Sequence, residues 1–588
     1  MNKYRGRPWV VLLVVSLGFF MTLLDLTIVN IAVPNMITKL HASLDGILWV
    51  INAYALVLAV LLITAGRLGD LRGQRTLFIW GVVLFTAASA ACGFSPTVSW
   101  LVAFRAVQGV GAALLMPQTL AILTMVFPPE RRGAAFGIWG AVAGVATIAG
   151  PTLGGLLVTA FDWRYIFFIN LPIGAVVIAL SVILIPDLRT GREHRLDMTG
   201  VVLASAALLA ICYGLVEGQR YNWGKITSFI SIPLVIGAGI VLLGVFLLVQ
   251  ARTQDREPLV PFSLFRGRNF ALMNWVSGAV TIGMMGIFLP LTIYLQSALG
   301  FSALRAGLTM APASLVSMFV APVAGRMTDR IGGKYILFSG LILFAGGMTW
   351  VGTVAATSST WVTFLPGLAI AGVGLGCTFA PMTTIAMRSV QPMMAGAASG
   401  MLNTVRQVGA VIGTAAIGAL LQNRLAVALP AEAARRAAVL PARARGQFVA
   451  GFAKAAQSGV QVGAGHSNVR LPAGTPPAVI TQLDQLGRAV FSQGFVNALH
   501  LTLILPITVL TVAGISCLAI RRVTAPASSP AADARSQPAD ARSQPAESDA
   551  RAADADVARP TETGAQTAGA DAQSADAIPQ PEASQAPA

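Results

Sequence analysis

Charge is what this chain is short of: 11% of its 588 residues are Asp, Glu, Lys or Arg, against roughly 25% in an ordinary soluble domain. With 55% hydrophobic residues beside that shortage, a water-soluble globule is excluded. Cysteine is nearly absent. Cys92, Cys212, Cys377 and Cys517 lie far apart, each inside an apolar block, which excludes metal or redox spacing and leaves packing as their role. His41, His194, His466 and His500 are scattered among loops and block ends. There is no His-Glu-x-x-His, no Gly-x-Ser-x-Gly and no Walker-type Gly-x-x-x-x-Gly-Lys-Ser/Thr, so neither an enzyme, a metal site, a cofactor nor ATP hydrolysis is expected. The net charge of +16 comes from basic residues placed singly in short loops, so no nucleic-acid partner is expected.

What the chain has instead is apolar sequence in blocks of about 20 residues, the length that crosses a bilayer. Blocks near 9–32, 47–66, 76–95, 99–124, 134–158, 164–186, 198–219, 229–251, 270–294, 306–325, 336–356, 362–384, 397–421 and 499–520 predict an all-α integral membrane protein with about fourteen transmembrane helices. The first block follows Met-Asn-Lys-Tyr-Arg-Gly-Arg with no small-residue cleavage site and reads as a retained span. Alternate loops gather the basic residues, among them Arg72, Arg131, Arg192, Arg256, Arg326 and Arg388. The opposite ones hold only Lys39, Arg164, Arg220, Lys225 and Arg305. The positive-inside rule then puts the N-terminus in the cytoplasm and, with an even span count, the C-terminus too. Residues 422–498 read as a long outer loop, helical around Glu432 to Leu440. From 523 onward Ala, Pro, Ser, Gln and Asp dominate, with Ala-Asp-Ala-Arg-Ser-Gln-Pro repeated at 532 and 539, and a disordered cytoplasmic tail is expected.

One loop is duplicated. Gly66-Arg-Leu-Gly-Asp70-Leu-Arg-Gly73-Gln-Arg75 recurs as Gly325-Arg-Met-Thr-Asp329-Arg-Ile-Gly332-Gly-Lys334, an offset too long for six spans and long enough for eight. The chain therefore divides into a six-helix half over 1–190, two linking helices over 191–265, a second six-helix half over 266–522 and the tail 523–588.

The duplicated loop resembles the signature between spans 2 and 3 of the major facilitator superfamily. Leu24-Asp25-Leu-Thr-Ile-Val-Asn30-Ile-Ala-Val-Pro34, Arg105-Ala-Val-Gln108-Gly109-Val-Gly111, Gly150-Pro151-Thr-Leu-Gly154-Gly155 and Trp163-Arg-Tyr-Ile-Phe-Phe-Ile-Asn170-Leu-Pro172-Ile-Gly174 are similar to its fourteen-span drug:proton antiporters, the EmrB/QacA type. The resemblance implies a monomeric, multi-pass cell-membrane exporter of small lipophilic compounds, with protons as coupling ion and lipids as surroundings. It also implies that the Gly66 to Arg75 loop latches the two halves, with Asp70 and Asp329 acting as conformational switches.

Asp25 stands about midway along an apolar span, where a carboxylate is costly and needs water, a partner or a proton. It reads as a proton carrier or, alternatively, as a structural hydrogen-bonding group. Arg105 is the second buried charge, tuning Asp25 or snorkelling to the interface. Gly140 with Gly144 and Gly150 with Gly154, beside Pro151 and Gly155, would let span 5 pack closely against the other half. Polar and aromatic residues within spans, namely Asn30, Asn52, Tyr54, Gln118, Trp139, Asn274, Tyr294, Asn403 and Arg406, are substrate-cavity candidates. Glu217 and His500 fall near the outer ends of their spans, where water would solvate them. A narrow-substrate exporter or importer and a non-transporting receptor stay open as alternatives. Truncation after Arg522 separates the last of these: a transporter keeps most of its transport rate, measured in proteoliposomes, whereas a receptor working through its tail loses function.

Overall fold

The computed structural model describes residues 7–521 apart from 43, 188–195, 219, 222, 257, 389, 441 and 458–476. The expected tail therefore lies outside the described residues. The helices are α1 (Pro8–Lys39), α2 (Leu44–Arg72), α3 (Gln74–Gly93), α4 (Val98–Val126), α5 (Arg132–Ala160), α6 (Tyr165–Phe168), α7 (Asn170–Leu184), α8 (Met198–Glu217), α9 (Ile232–Arg252), α10 (Ser263–Arg266), α11 (Arg268–Ile293), α12 (Ala303–Ile331), α13 (Lys334–Thr353), α14 (Trp361–Arg388), α15 (Ala395–Arg436), α16 (Ala442–Gln457) and α17 (Pro477–Ser516). Among the described residues thirteen helical segments are long and apolar enough to cross a membrane. The 29-residue α5, without a charge after Arg132, takes the fourteenth expected place. Helices are what such a sequence must form, because in hydrocarbon each backbone N–H and C=O needs a partner within its own segment.

The helix ends explain the duplicated glycines. Gly73 (φ +95°) joins α2 to α3 and Gly332 (φ +87°) ends α12 just before α13. At both points the chain reverses within one or two residues through a conformation that only glycine adopts at little cost. Elsewhere side chains cap the starts: Thr97 for α4, Asp197 for α8, Ser231 for α9 and Ser302 for α12 each accept a first-turn N–H.

Two sets of helices form the halves, α1–α7 and α11–α17. Within them α3 packs on α4 and α13 on α14 with backbones nearly touching. A Cβ at Gly111 would come 2.5 Å from the backbone nitrogen of Phe85, and one at Gly347 would come 2.5 Å from that of Ala371. Between the halves the main contacts are α5 with α12 and α2 with α15. The linking pair α8–α9 packs on itself, and α8 also touches α2 and α15. Gln250 fixes its inner end by donating to Asp197 (2.5 Å) and accepting from the Val260 backbone (3.0 Å).

Two expectations need correction. The described residues of 422–498 are largely helix and not loop: α15 runs for 42 residues, about 63 Å at 1.5 Å per residue and twice a bilayer core. Its far end buries Leu421, Leu425, Leu429 and Ala433 in one core with Phe448, Phe452, Phe491 and Phe495. That four-residue spacing of leucines is a helical stripe that the surrounding arginines disguise as a solvated loop. Glu217 is not solvated but 4% exposed, with Arg220 Nη1 3.2 Å from its carboxylate. The sixth span runs over Tyr165–Leu184 as expected, with Ile169 helical in its backbone angles between α6 and α7, and the Ser89 hydroxyl donates to the Phe167 carbonyl beside it (2.9 Å).

Gly347→Ala should lower thermal stability by about 1–3 kcal/mol because its methyl meets backbone. Gly237→Ala, with open space around it, should raise it by about 0.5–1 kcal/mol through helix propensity. Melting of the two purified variants in detergent, followed by a thiol-reactive dye, reads the contrast.

Candidate functional site

Asp25 and Arg105 meet. Both are sealed from solvent, at 0% and 1% exposure, and Arg105 Nη1 donates to Asp25 Oδ2. The other carboxylate oxygen accepts from Gln108 Nε2 at 2.9 Å and from Asn170 Nδ2 at 3.3 Å. Arg105 Nη1 also donates to Gln108 Oε1 (2.9 Å) and its Nε to the Val50 carbonyl (3.0 Å), and its guanidinium lies 4.3 Å from the centre of the Tyr54 ring. Asn170 in turn donates to Ser89 Oγ at 3.0 Å. One ion pair thus ties α1, α2, α4 and the start of α7 together. Removing either partner leaves an uncompensated charge, a loss of about 3–5 kcal/mol for buried pairs. Snorkelling is excluded for Arg105, since its head group points into the bundle.

The duplicated loops form two matching latches. Asp70 at the end of α2 accepts from the backbone N–H of Gly396 (2.7 Å) and Ala397 (2.8 Å) at the start of α15. Asp329 at the end of α12 accepts from Gly133 (2.7 Å) and Ala134 (2.8 Å) at the start of α5. Neither α5 nor α15 has a side-chain cap of its own. Their orphan N–H groups and positive dipole ends are therefore satisfied from the opposite half. The glycines allow the approach: a Cβ at Gly66 would collide with Gly396 and Gly400, and one at Gly325 with Gly133 and Gly137. Arg75 does not join this contact. Its Nη2 donates to the Val182 carbonyl at 2.5 Å, capping α7 within its own half.

Span 5 divides its glycines between two neighbours, where the spacing predicts only the opposite half. Gly144 and Gly140 face across the interface: a Cβ at Gly144 would come 3.0 Å from the Ser314 carbonyl of α12, and one at Gly140 would come 3.8 Å from Phe379 of α14. Gly150 lies against Thr27 and Gly154 against Ile28 of α1, within the same half, while Gly155 meets nothing within 4 Å. Thr27 Oγ1 donates to the Ala146 carbonyl (3.3 Å), two residues along α1 from Asp25. Pro151 lies within the helix. The same helix therefore touches the ion-pair helix at one end and the latch at the other.

Of the cavity candidates, Tyr54 forms a wall of the ion pair, Gln118 donates to the Ala65 carbonyl (2.9 Å) and Tyr294 OH donates to the Ala356 carbonyl (2.7 Å). Trp139 stacks on Phe19 with centroids 4.2 Å apart. Asn30, Asn274 and Asn403 donate to carbonyls of their own helices, at 3.1, 3.0 and 2.9 Å. Asn52 is half-buried. Arg406 donates to Ser277 Oγ and Thr383 Oγ1, both at 3.1 Å. Residue-by-residue reading missed Asn170 as a partner of Asp25 and Ser89 as the acceptor behind Asn170. The signal for Asn170 was its place in the Trp163 to Gly174 motif, but nothing local marks Ser89.

A family profile described as Major Facilitator Superfamily matches residues 15–414. An uncharacterized MFS-type transporter of Mycobacterium tuberculosis is 40% identical over 430 residues, 73% of each chain. The tetracenomycin C resistance and export protein of Streptomyces glaucescens is 35% identical, over 72% of this chain and 78% of its own. The multidrug resistance protein Stp of Mycobacterium tuberculosis is 35% identical, over 71% and 76%. In fold, the chain is similar to a proton:xylose symporter structure, with TM-score 0.50 and 15% identity over 70% of this chain and 88% of that one.

Asp70→Asn and Asp329→Asn each put an amide NH2 where one backbone N–H needs an acceptor and leave that N–H unpaired, so each should shift the closed-to-open balance by about 1–3 kcal/mol. Read through Ser399→Cys, buried between the halves in a chain otherwise free of cysteine, maleimide labelling should rise about fivefold or more per latch lost. Unchanged labelling would refute the latch.

Proposed function

The chain belongs to the major facilitator superfamily, a multi-pass membrane protein of that fold, and from that premise we propose that it exports lipophilic drugs or toxic metabolites in exchange for protons. Its setting is the cell membrane, with the latched end and both termini in the cytoplasm. The observation that carries the reading is the sealed Asp25–Arg105 pair joined through α5 to a latch. Two relatives at 35% identity bear resistance names, one of them a resistance and export protein.

The cycle follows from electrostatics. With Asp25 ionised, its attraction to Arg105 holds α1 against α4 and α7, and both latches hold the cytoplasmic end shut. A proton arriving from outside on the Asp25 carboxyl removes the charge that Arg105 holds, and α1 is released. Because α1 packs on α5 at Gly150 and Gly154, its movement is passed to α5, whose first turn is the partner of Asp329. The halves then rock open to the cytoplasm, the proton leaves, and substrate enters. Each inward proton supplies about 2.3 kcal/mol per 100 mV, enough for roughly a 50-fold gradient of substrate.

In acid-inside proteoliposomes carrying an internal pH dye, drug addition should release protons with the native chain. Asp25→Asn, which carries no titratable group, should lower that release at least about tenfold while the protein stays monodisperse. Native-like pH-dependent transport by Asp25→Asn would overturn the assignment.

A further inference from the structure

Resting on the exporter reading, we propose that Arg406 is a counter-ion for the cargo and that the preferred cargo is a lipophilic organic anion, a ring system bearing a carboxylate or phenolate. Ser399, Asn403 and Arg406 follow one another along α15 at helical spacing and share a face. At Ser399 this face meets the other half, its hydroxyl donating to the Pro117 carbonyl of α4 at 2.7 Å. Gly396, one turn earlier, and Gly400, next to Ser399, lie against Gly66. Arg406 is the first charge beyond the point where the halves are latched, roughly 16 Å into α15 and so near mid-membrane. Its guanidinium lies 5.4 Å from the ring centre of Phe379, the residue that Gly140 of α5 faces across the interface.

What holds Arg406 is neutral. Among the described residues only the hydroxyls of Ser277 and Thr383 accept from it, and no carboxylate lies within ion-pairing distance. Asp25 is engaged by Arg105, Asp70 and Asp329 by helix starts, and Glu217 by Arg220. A half-buried guanidinium at this depth without a counter-ion is costly, and carboxylate is the group its planar fork fits best. One turn along α11 from Ser277, the buried Asn274 Oδ1 has no partner and offers an acceptor for a ring hydroxyl of the same ligand. A lipophilic cation brought here would meet like charge with nothing to offset it. A negative cell interior also favours outward movement of an anion.

The test uses the purified full chain in nanodiscs with three fluorescent probes: pyrenebutyrate, its uncharged methyl ester, and ethidium. Native protein should bind pyrenebutyrate at least about tenfold more tightly than the ester, with ethidium weaker still. Arg406→Gln should bring pyrenebutyrate to within about threefold of the ester without changing the ester's own binding, and Arg406→Lys should keep most of the preference. The proposal is overturned if native protein fails to bind pyrenebutyrate, if it prefers the ester or ethidium, or if Arg406→Gln keeps the preference. Should Arg406→Gln not fold, the native ranking and Arg406→Lys decide. Failure of export is separately visible: a bound anion that a proton gradient does not move in proteoliposomes removes the exporter reading and leaves the anion site. Ethidium efflux without anion binding does the reverse.

Discussion

A carboxylate and a guanidinium shut away from water in mid-bundle cannot be left half-made, and the pairing of Asp25 with Arg105 constrains everything around it. Two helices must bring the charges together, a third must supply the Val50 carbonyl, and a fourth must begin at Asn170 so that its amide reaches the carboxylate. Breaking such a pair by removing one partner costs about 3–5 kcal/mol, comparable with the work one proton can do across an energised membrane. In the proposed cycle a proton is the ligand that reaches the carboxylate and releases it.

The second constraint is geometric. Four helix termini at one end of the molecule form two reciprocal pairs, each a carboxylate on two N–H groups of a helix from the opposite half. Such contacts are specific yet separable, because they involve a few hydrogen bonds and glycine-lined backbone in place of a large interlocked core. α5 joins the two constraints. Its early turns belong to the interface with α12, its later turns to α1, and the change of neighbour falls between Gly144 and Gly150. A motif that reads as one packing stripe is in fact a joint.

Much of this was legible in the residues. The duplicated Gly-x-x-x-Asp-x-x-Gly loop pointed to two halves and to Asp70 and Asp329, because positive backbone angles and helix-terminal carboxylates leave a pattern in sequence. Fourteen apolar blocks were visible because hydrocarbon demands them. Reading along the chain fails where meaning depends on a partner far away. Nothing near Arg132 or Ala395 shows that α5 and α15 begin without a cap of their own, and nothing near Ser89 places it under Asn170. The helical extension of α15 was hidden because Ala and Arg between leucines suit both a solvated loop and a helix whose other face is covered.

The central claim is that the charge on Asp25 decides whether the latched end is open. Spin labels at the starts of α3 and α13, one on each half, would report the separation of that end by electron–electron resonance. The account predicts a short distance for the native chain near neutral pH and a shift to longer distances in acid. It predicts the same shift at neutral pH when Asp25 is replaced by Asn, with acid then adding nothing. A distance distribution that Asp25→Asn leaves unchanged, or one that still opens in acid when Asp25 is gone, would contradict it.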